Sequence, residues 1–268
     1  MKTRSILFQT AIVVIILAGL AYMFRSDILD LWEEWMAEPT PEPITFQDII
    51  MNNSNPSDSV NENTNSDISN VNKEPEPVVI PDEFNLDVPF TTQSPYANWD
   101  YPYQEACEEA SALNVHYYYQ SKTFTQEIAD QEILALVDWE NNYFGDYKDT
   151  TAEETAEFIR EYWGYNRAEA IYNPTVDDIK EHVAAGRPVI VPAAGKMLGN
   201  PNFRNGGPLY HMFVIRGYKP GIFITNDVGT RKGEEYIYDS EVVMEAMHDW
   251  NGGDVNNGQK VIVVVWPN

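Results

Sequence analysis

Cys107 is the only cysteine in a chain of 268 residues. A thiol with no partner in its own chain is either a small buried apolar group or a nucleophile kept for chemistry. It lies in Tyr103-Gln104-Glu105-Ala106-Cys107-Glu108-Glu109-Ala110-Ser111, which reads as the opening turn of a helix, where a thiolate is best stabilised. Glu108 and Glu109 suit a helix start, but their negative charge opposes ionisation of the thiol.

A cysteine nucleophile needs a base and a group that orients the base. The chain has four histidines to choose from. His116 shares the Cys107 helix but lies nine residues on, about 13 Å along the axis. His182 falls on a polar helix face beside Glu181, and His248 near a helix C-terminus, where it would complement the dipole. His211 follows a Gly- and Asn-rich loop, Gly199 to Pro208, and opens the apolar strand Met212-Phe213-Val214-Ile215. It is the candidate base.

The third group comes from a hairpin. With Lys219-Pro220-Gly221 as the loop, Tyr218 faces Ile222 and paired positions sum to about 440. His211 then faces Gly229 or its neighbour, and Asp227 falls within reach of the imidazole, with Asn226 as the fallback orienter. An acyl-transfer site also needs oxyanion donors. The Cys107 N–H is one; the side chain of Gln93 or, alternatively, Gln104 is the second. The histidines and the cysteine are too scattered for a zinc site, and no cofactor is expected.

The elements that must position these groups are legible in outline. An extended piece runs from Leu86 to Thr92. Helices are predicted from about Gln104 to Tyr119, from a Thr123/Gln126 capping box to about Val137, from Thr151/Glu154 to Trp163-Gly164, and from Thr175/Asp178 to Gly186. Strands are predicted at Pro188–Ala193, Tyr210–Tyr218, Ile222–Asn226, Tyr236–Tyr238 and Val261–Trp266, with a helix from Ser240 to His248. Helices first and antiparallel strands afterwards predict an α+β domain.

The net charge of -25 argues against nucleic acid or anionic lipid as a partner. Lys2 and Arg4 precede an apolar run from Ile6 to Phe24, about 19 residues, just long enough to cross a bilayer as a helix. The charge bias places the N-terminus inside and the remainder outside. Residues 1–25 are therefore expected to be a transmembrane anchor; a signal peptide cleaved near Gly19 or Ala21 is the alternative, and would make the protein secreted. Residues 26–83 are expected to be a juxtamembrane helix, Asp27 to Met36, followed by a disordered Pro/Asn/Ser-rich tether from Ala37 to about Glu83. The folded domain is expected over 84–268. Oligomeric state is not legible.

Leu86-Asp87-Val88-Pro89-Phe90-Thr91-Thr92-Gln93, then Ala106-Cys107-Glu108-Glu109-Ala110-Ser111-Ala112-Leu113, then Pro188-Val189-Ile190-Val191, Tyr210 to Tyr218 and Phe223-Ile224-Thr225-Asn226-Asp227 resemble, in that order, bacterial C39-like peptidase domains of the papain-like superfamily. The resemblance implies a nucleophile helix packed on an antiparallel sheet. It implies Cys107 as nucleophile, His211 as base and acid, Asp227 as orienter and Gln93 as the oxyanion glutamine, acting on a peptide or cell-wall-derived amide through a thioester. The glycine usual before the cysteine is Ala106 here, and the proline common after the aspartate is Val228. A different class of function uses the same groove, with Tyr96, Trp99, Tyr101 and Tyr103, as a catalytically silent holder of peptide or glycan; a third reading is acyl transfer to an amine.

Overall fold

The computed structural model describes residues 39–54 and 80–268. The expected anchor and the helix at 27–36 lie outside these residues, as does most of the tether. Among the described residues no helix is long and apolar enough to cross a membrane.

The described residues from Pro41 to Asn268 form one compact unit of the α+β class, helices packed on an antiparallel sheet. Its helices are α1 (Phe46–Ser54), α2 (Cys107–Tyr119), α3 (Gln126–Tyr143), α4 (Ala152–Trp163), α5 (Val176–Ala184) and α6 (Ser240–Ala246). Its strands are β1 (Phe84–Asn85), β2 (Arg167–Tyr172), β3 (Val189–Ala193), β4 (His211–Lys219), β5 (Ile222–Asn226), β6 (Tyr236–Asp239) and β7 (Val261–Trp266). The sheet runs β2-β7-β3-β4-β5-β6, with β1 also paired to β4, and every pairing is antiparallel.

Capping chemistry sets the helix starts. Thr151 and Thr175 each accept from the backbone three residues on, while Glu154 and Asp178 bond back to the cap, so both capping boxes form as predicted. The second helix starts later than expected, with Thr125 rather than Thr123 accepting from Ile128 N. It runs six residues past Val137 to Tyr143; Trp139 stacks on Tyr143 there, centroids 4.5 Å apart.

Two further expectations are corrected. The tether is not disordered throughout: Thr45 and Asp48 cap α1, and Phe46 packs its ring on Tyr118 and Tyr119 of α2 at 5.4 and 5.0 Å. The domain therefore begins well before Phe84. The strand β2, unforeseen, alternates exposed Arg167 and Glu169 around buried Ala168, a pattern whose inward side chain is too small to announce itself.

The sheet's centre is β4, buried along nearly its whole length. Tyr218 faces Phe223, not Ile222, so the hairpin starts one position off the predicted register. A bulge between Ile215 and Gly217 then shifts the ladder, and Ile215 faces Thr225, restoring the predicted sum at the His211 end. The extra residue, Arg216, sends its guanidinium inward to donate to Leu86 O and Asn85 Oδ1 at 2.8 and 3.2 Å, tying the entry segment to the sheet.

Candidate active site

Helix α2 opens at Cys107. Its N-cap, Ala106, offers no side-chain acceptor, while the N–H groups of Glu108 and Glu109 meet their own carboxyls. The helix packs across β4, and Cys107 Sγ meets the backbone N–H of Met212, the residue after His211. The thiol also donates to Glu108 Oε2 at 3.0 Å. Cys107 is only 6 % exposed. Burial first, then the Glu108 charge and hydrogen bond, push the thiol well above its ordinary pKa; the Met212 N–H opposes them. Glu108 is itself buried, and burial together with Glu109 raises its carboxyl.

His211 stands at the first position of β4 and is buried at that end of the strand. Its Nε2 lies 2.8 Å from Asp227 Oδ1. A carboxylate only accepts, so Nε2 carries the hydrogen and Nδ1 is left as the basic nitrogen. The ring is fixed from the sides by Phe203, edge-on at 5.2 Å, and Phe213, stacked at 6.2 Å. Gly229 closes over it: a Cβ there would sit 2.9 Å from His211 Cε1 and 3.0 Å from Phe203. Only glycine permits this approach.

Asp227 is completely buried, yet four donors satisfy it. Oδ1 accepts from His211 and from Gly229 N at 3.0 Å. Oδ2 accepts from Tyr238 Oη at 2.5 Å and Asn200 Nδ2 at 3.1 Å. Burial alone would raise this carboxyl; the His211 charge and these hydrogen bonds together bring it below the ordinary Asp value. Asn200 also donates to Tyr238 Oη at 2.8 Å, closing a polar network. Asn200 and Tyr238 were not anticipated, and Gly229, which the hairpin register placed opposite His211, was not foreseen as a donor to Asp227. Only Gly229 left a signal, an Asp followed two residues later by a glycine whose N–H it can accept.

Asn226, the fallback orienter, is turned elsewhere: its amide donates to Val88 O and Pro89 O at 3.0 and 3.3 Å. That contact helps place the segment carrying Gln93. Asn114 of α2 takes Thr91 N at 3.1 Å, and Gln93 N donates to Val228 O at 3.0 Å. The segment from Thr91 to Gln93 thus bridges α2 and the Asp227 loop, and Gln93 Nε2 donates to Tyr103 O at 2.9 Å. An amide has a second hydrogen free for another acceptor. Gln104 is exposed and donates to Glu105.

Gln93, Gln104, Trp99 and His211 line an open cleft of about 890 Å³. Cys107 does not line it; its sulfur faces Glu108 and Met212 instead. Of the aromatics expected in a binding groove, Trp99 lines this cleft, Tyr96 and Tyr101 are exposed, and Tyr103 Oη donates to Asp130 at 2.5 Å. The other histidines make local contacts. His116 stacks on Trp163 at 4.4 Å and contacts Tyr165 Oη at 3.0 Å. His182, half-buried rather than solvated, accepts from Arg187 Nε at 3.1 Å, and His248 Nδ1 contacts Gly258 O at 2.8 Å. Burial lowers the pKa of His116 and of His182 to about 4.

A helix-borne thiol packed against a strand that carries a carboxylate-bound imidazole defines a candidate thiol-dependent site on an α+β scaffold. The sequence model of the Peptidase_C39 like family matches residues 85–252, more than half of the chain, and the chain belongs to that family. No curated protein matches it. Among solved structures it is similar to one described as a "putative C39-like peptidase" from Bacillus anthracis. Their identity is 15% and the TM-score 0.44, over 67% of this chain and 95% of that one.

Proposed function

We propose that the protein is a cysteine peptidase or related amide hydrolase, with Cys107 as nucleophile, His211 as base and then acid, and Asp227 as orienter. The observation that carries this reading is the 2.8 Å His211–Asp227 bond at the residue adjoining the one whose N–H meets the Cys107 sulfur. It leaves Nδ1 to take the thiol proton. The sulfur adds to the amide carbonyl, and the oxyanion takes hydrogen bonds from the Cys107 N–H and Gln93 Nε2. Collapse breaks the C–N bond, His211 returns the proton to the departing amine, and a thioester remains. Water, deprotonated by His211, then releases the acid. For attack the thiol must turn from Glu108 toward the imidazole.

The test is cleavage of a quenched-fluorescent peptide library by the full chain. Cys107→Ala should abolish turnover, and His211→Ala should reduce it about 10²- to 10⁴-fold. Cleavage that survives Cys107→Ala would refute the proposal. A second reading is favoured by one observation: the thiol is buried and faces a carboxyl. In that reading the cleft holds a peptide without cutting it, and peptide binds equally well to wild type and Cys107→Ala with no turnover. We also propose that residues 1–25 tether the domain to the outer face of a membrane. Membrane fractionation of the full chain, with protease added from outside, tests this; recovery in the soluble cytoplasmic fraction would overturn it.

A further inference from the structure

The charges of the cleft are sorted by their origin. Arg204 comes from the β3–β4 loop, and Arg231 and Lys232 from the β5–β6 loop; all three line the cleft and are exposed. Its two carboxylates, Glu105 and Asp149, both come from the helical half, just before α2 and between α3 and α4. The chain holds 17 Lys and Arg against 42 Asp and Glu. Three cations on the loops flanking His211 and Asp227 are therefore out of keeping with the rest of the molecule.

We propose, resting on the hydrolase reading, that the substrate is a peptide carrying a carboxylate beside the amide to be cut, and that Arg204 and Arg231 determine this preference. A guanidinium cannot lose its proton at working pH and matches a carboxylate with two parallel N–H groups. The molecule's bulk charge repels anions. At physiological ionic strength, however, exposed charges more than about 8 Å away are largely screened, so the cations lining the cleft decide what is held there. The helical side is acidic, so a second carboxylate at that end is disfavoured and an amine is tolerated. This polarity selects the direction in which a peptide lies as well as its composition.

The experiment uses the full chain and end-blocked quenched peptides that differ at one position on either side of the cut: Glu, Gln or Lys. A further peptide is neutral except for a free terminal carboxylate, which separates a side-chain anion from a chain end as the recognised group. Binding of the same peptides to Cys107→Ala is read by fluorescence anisotropy, independently of turnover. A charge-assisted contact predicts about tenfold preference for Glu over Gln in kcat/KM and in affinity. Arg204→Glu/Arg231→Glu should abolish or invert that preference. These cations are exposed, so the variant should melt within about 2 °C of wild type. Equal affinities of Glu and Gln peptides for Cys107→Ala, or a preference for Lys, overturn this inference even if wild type cleaves peptides. Charge preference in binding with no cleavage of any peptide supports it while refuting the hydrolase reading.

Discussion

Glu108 holds the thiol proton of Cys107 in this structure, and it does so from inside the protein. A negative or proton-accepting neighbour at 3.0 Å favours the thiol over the thiolate, so Glu108 opposes ionisation of Cys107 as long as the sulfur faces it. Glu108→Gln removes the titratable carboxyl and keeps the shape. The alkylation rate of Cys107 at pH 7–8 should rise about tenfold, a shift of roughly one pKa unit, with the inflection of its pH profile moving down. An unchanged profile would show that Glu108 has no hold on the proton. At Gly229 the prediction runs the other way: Gly229→Ala must move His211 or Phe203. Turnover should fall about 10²-fold, the scale on which ångström misplacement is felt, while circular dichroism stays native. The places of Cys107, His211 and Asp227 in the fold were readable because each sits at the end of an element whose pattern is strong. The remaining partners of Asp227 were not, because Asn200 comes from a loop and Tyr238 from a strand end, and neither carries a local pattern that points at a carboxylate.

Helices α2 and α3 meet through two acids. The carboxyls of Glu109 and Glu140 are buried against each other, and no N–H or O–H of another described residue reaches them. Only a shared proton can bond such a pair. Burial raises both well above the ordinary glutamate value. Glu140 and Glu105 add to the shift of Glu109; Glu108 and Glu154 add to that of Glu140. A group whose folded pKa is raised contributes stability that is complete below its unfolded pKa, about 4.3, and is lost as pH rises through the folded value. Asp227, held low, has the opposite sign and costs stability only as pH falls through its folded pKa. The melting temperature should therefore decline from pH 5 to pH 8, and Glu140→Gln, which titrates no longer, should flatten that decline; parallel curves would contradict the shared proton. In sequence Glu109 was read, with Glu108, as a helix-start residue that opposes ionisation of the thiol, and Glu140 lay beyond the expected end of its helix, because nothing local says which face of α2 a second helix will cover. Helix α1 was missed for a different reason: a short capped segment inside a polar stretch looks like linker until Phe46 is seen against Tyr118 and Tyr119. Phe46→Ala should cost about 1–3 kcal/mol in urea denaturation, below the full-burial range because the ring is half-exposed.

At the scale of the molecule, a sheet centred on β4 brings the His211 end of one hairpin to the start of α2, and the bulge at Arg216 decides which residues arrive there. The strand order could not be read in sequence, since β7 enters between β2 and β3 from the far end of the chain. The hairpin could, since its loop and apolar runs are contiguous. The account as a whole rests on a thiol that His211 can deprotonate. Its most direct measurement is covalent labelling of Cys107 in the folded full chain by an amide-mimicking electrophile, located by peptide mass spectrometry, in wild type and His211→Ala. The account predicts labelling at Cys107 that falls at least about tenfold in the variant. Labelling at the same rate in both proteins, or none in folded wild type, would contradict it.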